Sequence, residues 1–197
     1  MKLLIFSDIH SDLKALGKLM ETEADYYIAA GDLVSWSRGL EAVGEIMHRH
    51  AGRMFVMPGN HENEADISDF CVKFGFEMLH GRVVELGGYH LAGLGYSNRT
   101  PFNTPGEYSE SQIAAMLEHF AGLKPLILIC HCPPKNTPLD GNKPSSHFGS
   151  TAVGAFIAQE QPWRFYCGHI HECEGVIAQL GETVGQNVGK RGALLEL

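Results

Sequence analysis

Histidines and carboxylates are not spread evenly along this 197-residue chain; they collect where short apolar runs end. KLLIFSD (2–8) leads into Ser7-Asp8-Ile9-His10, DYYIAAGD (25–32) ends in Gly31-Asp32, and RMFVMPGN (53–60) runs into Gly59-Asn60-His61. PLILIC (125–130) is followed by His131, and WRFYC (163–167) by Gly168-His169-Ile170-His171. Taken singly, each has an ordinary explanation. Asp8 and Asp32 can cap the helices that follow. Asn60 and His61, after Pro58-Gly59, can form a turn. His131 can be a satisfied core histidine, and His169 and His171 surface residues of a turn. The coincidence argues for chemistry, because open α/β sheets bind ligands beyond the carboxyl ends of their strands.

Four histidines (His10, His131, His169, His171), two aspartates (Asp8, Asp32) and the Asn60 amide make a mixed nitrogen and oxygen donor set. Such a set suits Mn, Fe, Zn or Co better than Ca or Mg, which prefer oxygen shells. Seven donors exceed one tetrahedral zinc and suit two ions sharing a carboxylate. Two ions about 3.5–4 Å apart can clamp the attacking and leaving oxygens of a phosphoryl displacement and lower the pKa of bound water.

The elements that must position these residues follow from pattern. Strand 2–8 is followed by Leu13, Leu16, Leu19 and Met20 at helical spacing, then strand 25–32, then Leu40, Val43, Ile46 and Met47 as a second helical stripe, then strand 53–60. This alternation predicts βαβ units in a largely parallel sheet. VVELGGYHLAGLGYS (83–97) reads as a hairpin across Gly-Gly. Ser109 and Gln112 have capping-box spacing before a helix over 109–120. PLILICHCPP is a buried strand, TAVGAFIAQEQ a helix, WRFYCGHIH a strand and turn, and the remainder short strands with glycine turns. The expected class is α/β with two stacked mixed β-sheets flanked by helices. No linker divides the chain, so residues 1–197 are read as one domain.

The formal charge is −8 and no basic cluster stands out, which excludes the electrostatic footprint of a nucleic-acid binder. An anionic substrate then needs cations supplied locally, as metal ions would do. No apolar run reaches the roughly 18 residues of a membrane span, so no membrane partner is expected. The start, MKLLIFSDIH, lacks a signal-peptide pattern, and five cysteines are too few for a disulfide scaffold. Both point to the cytoplasm.

The blocks Asp8-Ile9-His10, Gly31-Asp32, Gly59-Asn60-His61, His131 and Gly168-His169-Ile170-His171, in this order, resemble the calcineurin-like metallophosphoesterases. HCPP and GHIHE look like the compact prokaryotic members. The resemblance implies a four-layer αββα sandwich with the metals at one edge. It implies Asp8, His10 and His171 on one divalent ion, Asn60, His131 and His169 on a second, and Asp32 bridging them. Manganese is the first expectation, with Fe, Zn, Co or Ni as alternatives. It further implies a metal-bridging hydroxide as nucleophile, with His61 contacting the phosphate beside Asn60 and protonating the leaving alkoxide. Small phosphate esters are the expected substrates, diesters before monoesters, since no basic clamp for a dianion is evident. A broad monoesterase or protein phosphatase of the same mechanism is the alternative. Relatives are commonly homodimers.

Gln186-Asn187-Val188-Gly189 departs from the family's Asn-Pro-Gly-like closing turn. Segments 98–108 and 135–148 are the expected substrate walls, with Arg99 and His147 as candidates to touch the phosphate or its substituent. Cys130, Cys132, Cys167 and Cys173 surround three of the proposed ligands and allow a competing structural zinc site. Cys-x-Cys spacing is narrow for zinc, and Cys130 and Cys132 should point away from His131 across the strand pleat. A scaffold protein that has kept a live site is the non-enzyme alternative.

Overall fold

The structure, a computed structural model, describes residues 1–141 and 147–197. In chain order it runs β1 (Lys2–Phe6), α1 (Leu13–Met20), β2 (Tyr26–Ala30), α2 (Leu40–Met47), β3 (Met54–Met57), α3 (Glu64–Phe74) and β4 (Glu77–Met78). Then come the hairpin β5 (Arg82–Leu86) and β6 (Tyr89–Leu94), the short pair β7 (Ser97–Asn98) and β8 (Glu107–Tyr108), α4 (Glu110–Glu118) and β9 (Leu126–Cys130). α5 (Thr151–Glu160), β10 (Arg164–Cys167), β11 (Ile177–Leu180), β12 (Thr183–Asn187) and β13 (Ala193–Glu196) complete it.

Local chemistry explains the helix boundaries. The Asp12 carboxylate accepts the Ala15 N–H at 3.0 Å and starts α1. Ser109 and Gln112 form the expected capping box, at 3.3 and 2.8 Å. Ser150 caps α5 through the Val153 N–H at 3.2 Å. Helix α3 lies in 61–82, a stretch for which the pattern reading proposes no element. Its signals are nonetheless present: Asn63 accepts from Asp66 N–H at 2.8 Å, and Ile67, Phe70, Cys71 and Phe74 are buried on one face.

The strands form two mixed sheets, ordered β13-β1-β2-β3-β4 and β11-β12-β10-β9-β6-β5, beside the small β7-β8 pair. Within each large sheet the central pairs are parallel, and β13, β11 and β5 pair antiparallel at edges. Strand period decides the layers. Leu4 and Phe6 of β1 pack with Leu16, Val43 and Phe70 of α1–α3, while Leu3 and Ile5 pack with Ile127, Ile129 and Tyr166 of the other sheet. Leu128 and Phe165 turn outward to Ile113, Leu117, Val153 and Ile157 of α4 and α5. The order is therefore helices, sheet, sheet, helices, as expected. Each fully buried Leu or Ile contributes roughly 1.5–3 kcal/mol. Among the described residues no helix is long and apolar enough to cross a membrane.

One buried histidine ties the second sheet to β8. His80 accepts the Gly95 N–H at Nδ1 (2.9 Å), so its Nε2–H donates to the Tyr108 hydroxyl (3.1 Å). Burial holds its pKa below the ordinary value of 6.5. The unfolded chain then binds a proton that the folded state resists. Its contribution is present above pH 6.5 and declines as pH falls below it, so thermal stability should drop on acidification in that range. His80→Gln should be less stable at about pH 7.5 and show a shallower acid slope, read by thermal unfolding at about pH 7.5 and 5.5. An unchanged slope would assign the acid sensitivity to other groups.

Candidate active site

All five donor-bearing segments meet beyond the strand ends. The loops after β1 and β2 continue their strands' pairing: Asp8 N–H donates to Gly31 O (3.1 Å), His10 N–H to Asp32 O (3.0 Å) and Ser11 N–H to Leu33 O (2.9 Å). The loops make sharp reversals, and Asp8, His10, Asp32 and His169 all hold positive φ, between 44° and 67°. Such non-glycine backbone costs of order 1–3 kcal/mol each and persists where its surroundings over-determine it.

The side chains fall into groups whose ligating atoms lie within 4.8 Å of one another: Asp8, His10 and His171; Asp32, His131 and His169; and His10, Asp32 and His61. Asn60 Oδ1 stands 2.8 Å from His169 Nδ1 and 3.1 Å from His131 Nε2. His10 and His171 bring their Nε2 atoms to 3.1 Å. Asp32 Oδ2 is 3.3 Å from His131 Nε2 and 3.6 Å from His10 Nε2, between the two groups. His131 and Asp32 are buried, whereas the His171 side chain is 58% exposed, so one group is enclosed and the other opens to solvent.

These donors fit divalent metal ions. His131 Nδ1–H donates to Ala30 O at 2.9 Å, which fixes its tautomer and aims the Nε2 lone pair inward. His10 Nδ1 lies 3.1 Å from Ser35 Oγ, which orients the ring. Lone pairs converging at hydrogen-bond distance repel unless a cation or proton lies among them. The electrostatics agree. Burial opposes charge on His131, yet the Asp32 and Asp8 carboxylates outweigh it and raise that imidazole to about 9. His169 moves the other way, to about 4, through burial and the neighbouring His131. Burial pushes the Asp32 carboxyl up, but His131 and His10 hold it well below the usual carboxylate range.

Two glycines allow the close approach. A Cβ at Gly168 would stand 2.1 Å from Asp8 Oδ2, and one at Gly59 would stand 2.1 Å from Asp32 Oδ1. In their place the backbone itself binds: His169 N–H donates to the Asp8 carboxylate at 3.0 Å, and His61 N–H to Asp32 Oδ1 at 2.9 Å. The glycine of GHIH lets the strand end reach Asp8, and the single spacer sends His169 and His171 to different groups.

The pattern reading misses several supports. Glu62 is fully buried, and its carboxyl oxygens accept N–H bonds from Gly59 (2.8 Å), Val34 (2.9 Å) and Asp32 (3.0 Å). Burial first, then the Asp32 charge, push its carboxyl up to about 8, against the pull of the Val34 and Gly59 N–H groups. Its place directly after Asn60-His61 is the signal that could have found it. Asn60 Nδ2 donates to Thr104 Oγ1 (3.1 Å), whose hydroxyl donates to Glu107 Oε1 (2.6 Å), which leaves Asn60 Oδ1 facing the histidines. The departing turn is also at the site, since Asn187 Nδ2 donates to the carbonyls of Gly168 (3.0 Å) and Ile170 (3.1 Å).

His61 lines the cleft at the site, its ring 5.1 Å from His10 and 5.9 Å edge-on from half-exposed Trp36. Its Nδ1 is buried with no hydrogen-bond partner among the described residues. The cleft, about 600 Å³, extends along Arg99 and His147. It also takes in Lys135, at the start of the wall expected over 135–148. The wall expected over 135–148 is described except for 142–146, which lie outside the described residues. Arg99 and Lys135 supply cations where the sequence suggested no basic clamp. All five cysteines are free and buried. Cys130 and Cys167 pack on the helix side of their sheet, and Cys132 Sγ donates to Asn98 Oδ1 at 2.9 Å.

Residues 1–173 match the family described as calcineurin-like phosphoesterase. The chain belongs to that family. It is a phosphoesterase, a hydrolase of phosphate esters. An uncharacterised Methanocaldococcus jannaschii protein is 30% identical over 194 residues, 95% of this chain and 87% of its own length. Among solved structures, the phosphoesterase resembles TT1561 of Thermus thermophilus (TM-score 0.71, 19% identity, 95% of this chain and 88% of that one). It also resembles the phosphopantetheinyl hydrolase of Mycobacterium tuberculosis (0.70, 17%, 95% and 88%) and a dimetal phosphatase of Danio rerio (0.63, 11%, 95% and 86%). At these identities the structures support the fold.

Glu62→Gln in this phosphoesterase turns one acceptor into a donor facing backbone N–H groups. It should cost about 1–3 kcal/mol, or about 2–12 °C in Tm for a chain of this size, and lower bound metal measured by elemental analysis. Unchanged Tm and metal content would show that the three bonds do not hold the loops.

Proposed function

We propose that this phosphoesterase hydrolyses phosphodiesters with two divalent metal ions, manganese first among Mn, Fe, Zn, Co and Ni. The observation that carries the reading is the pair of donor groups on either side of Asp32, opening onto one cleft with His61. Asp8, His10 and His171 would hold one ion, Asn60, His131 and His169 the other, and Asp32 both. Ions held there would supply the positive field for a phosphoryl group and would make water nucleophilic near neutral pH.

The chain's own residues do the rest. Asn60 and His61 orient the ester through their amide and imidazole. His61 carries the proton to the departing alkoxide oxygen, a step that general-acid catalysis accelerates by about 10²–10⁴. Glu62 and Thr104 hold Asn60 and Asp32 in register through the bonds described above. Residues 1–197 act as one domain, placed in the cytoplasm. Phosphomonoester hydrolysis is the second reading, favoured by Arg99 and Lys135 on the cleft wall, since a dianion gains from added cations.

Turnover of bis-p-nitrophenyl phosphate after addition of Mn²⁺, with about two ions per chain by elemental analysis, is the expected result. One tightly held zinc and no turnover would favour the cysteine site. His61→Ala should lower kcat by about 10²–10⁴ with metal content near wild type. Loss of metal in that variant would refute the assigned role. Asp32→Asn should lose metal and activity together; full metal content would argue against a bridge. Chelation should abolish turnover and lower Tm, with both restored by Mn²⁺.

A further inference from the structure

The chain has ten phenylalanines. Eight are buried; Phe102 is 73% exposed and Phe148 58% exposed, and both line the cleft that holds the donor groups. Core packing accounts for the eight and not for these two. Their backbones are also pinned. Phe102 N–H donates to Thr100 Oγ1 (3.2 Å), and the Thr100 hydroxyl donates to Glu107 Oε1 (2.6 Å). Glu107 also takes the hydroxyl of Thr104, which in turn accepts from Asn60, so the Phe102 wall is tied to the donor groups by side-chain bonds. On the other segment, Asn98 Nδ2 donates to Phe148 O (3.0 Å) and Gly149 N–H to Asp140 Oδ2 (3.0 Å). Exposed aromatic faces on fixed backbone form a stacking platform, which every flat heteroaromatic ring can use.

The same cleft is lined by Arg99 and Lys135, in a chain of formal charge −8. Among the described residues neither takes part in an ion pair. His147 gives its Nδ1 to buried Asp140 at 2.8 Å, which leaves Nε2 as its other hydrogen-bonding atom. Outside the donor groups, Glu172 is the acidic residue of the lining. About 600 Å³ matches a ligand of mononucleotide size.

We infer that the substrate is a small phosphodiester of nucleotide type. A heteroaromatic ring lies against Phe102 and Phe148, a second phosphate is taken by Arg99 and Lys135, and the scissile phosphate sits at the donor groups. This rests on the phosphodiesterase reading above.

Three chromogenic diesters separate the parts: methyl p-nitrophenyl phosphate, thymidine 5′-(p-nitrophenyl phosphate), and the same thymidine ester carrying a 3′-phosphate. In each, water adds to phosphorus, the bond to the p-nitrophenyl oxygen breaks, and p-nitrophenolate leaves with the electron pair. With Mn²⁺ supplied, kcat/KM should rise about tenfold with the nucleoside, from ring stacking, and about tenfold again with the 3′-phosphate, from charge-assisted hydrogen bonds. The nucleoside gain should vanish in Phe102→Ala/Phe148→Ala. The 3′-phosphate gain should vanish in Arg99→Ala/Lys135→Ala with the nucleoside gain kept. Each gain is a ratio within one protein, so lower overall activity of a variant does not obscure it. Equal kcat/KM for all three esters in the wild type, or gains that survive in the variants, would overturn the inference and leave the phosphodiesterase reading standing. No turnover of any ester with metal present would overturn that reading and the inference with it.

Discussion

Buried carboxylates held by the backbone of neighbouring loops are the constraint on which the rest of this structure depends. Asp8 is bound by the N–H of His169, Asp32 by that of His61, and Glu62 by those of Asp32, Gly59 and Val34. All but the Gly59–Glu62 bond join segments that lie far apart in sequence. A buried acceptor left without donors would cost several kcal/mol, so the loops after β1, β2, β3 and β10 must stay in register. Gly59 and Gly168 stand where any Cβ would collide with Asp32 and Asp8, which is how backbone comes close enough to serve as donor.

Asp8 and Asp32, both held below the usual carboxylate range, concentrate negative charge, and imidazoles answer it. The opposite shifts of His131 and His169 express one demand, for positive charge between the carboxylates but not on every ring. Divalent cations meet that demand without protonating the ligands. The left-handed backbone at Asp8, His10, Asp32 and His169 is the conformational cost of aiming the donors inward. The two packed sheets below, with apolar residues on both faces of β1 and β9, supply the rigidity that holds it.

The cleft adds a different kind of order. Glu107 links Thr100, Phe102 and Thr104 to Asn60, so the wall that meets a substituent and the residues that meet the phosphate share one set of hydrogen bonds. Binding far from the reacting atoms can thereby influence their alignment, which is where binding energy raises turnover as well as affinity.

Much of this was legible in the chain itself. Strand-end placement of Asp8, Asp32, Asn60, His131 and the GHIH pair pointed to residues that the fold brings together, because period-2 and period-3.6 patterns mark strand ends and helix starts locally. The capping box at Ser109 and the Gly87-Gly88 hairpin were local signals of the same kind. The supports were not legible. Glu62 looks like any acidic residue before a helix until Asp32, Val34 and Gly59 are brought against it. Thr104, Glu107 and Ser35 acquire meaning through partners 3 to 44 residues away. The signals for helix α3, the Asn63 cap and the Ile67, Phe70, Cys71 and Phe74 face, are local and equally present in the chain. Lys135, Phe102 and Phe148 lie in the two segments expected as substrate walls, but which of their side chains line the cleft was decided by packing. Residue type and local period are properties of the chain, whereas which distant groups satisfy a buried polar atom is decided by the packing of the two sheets.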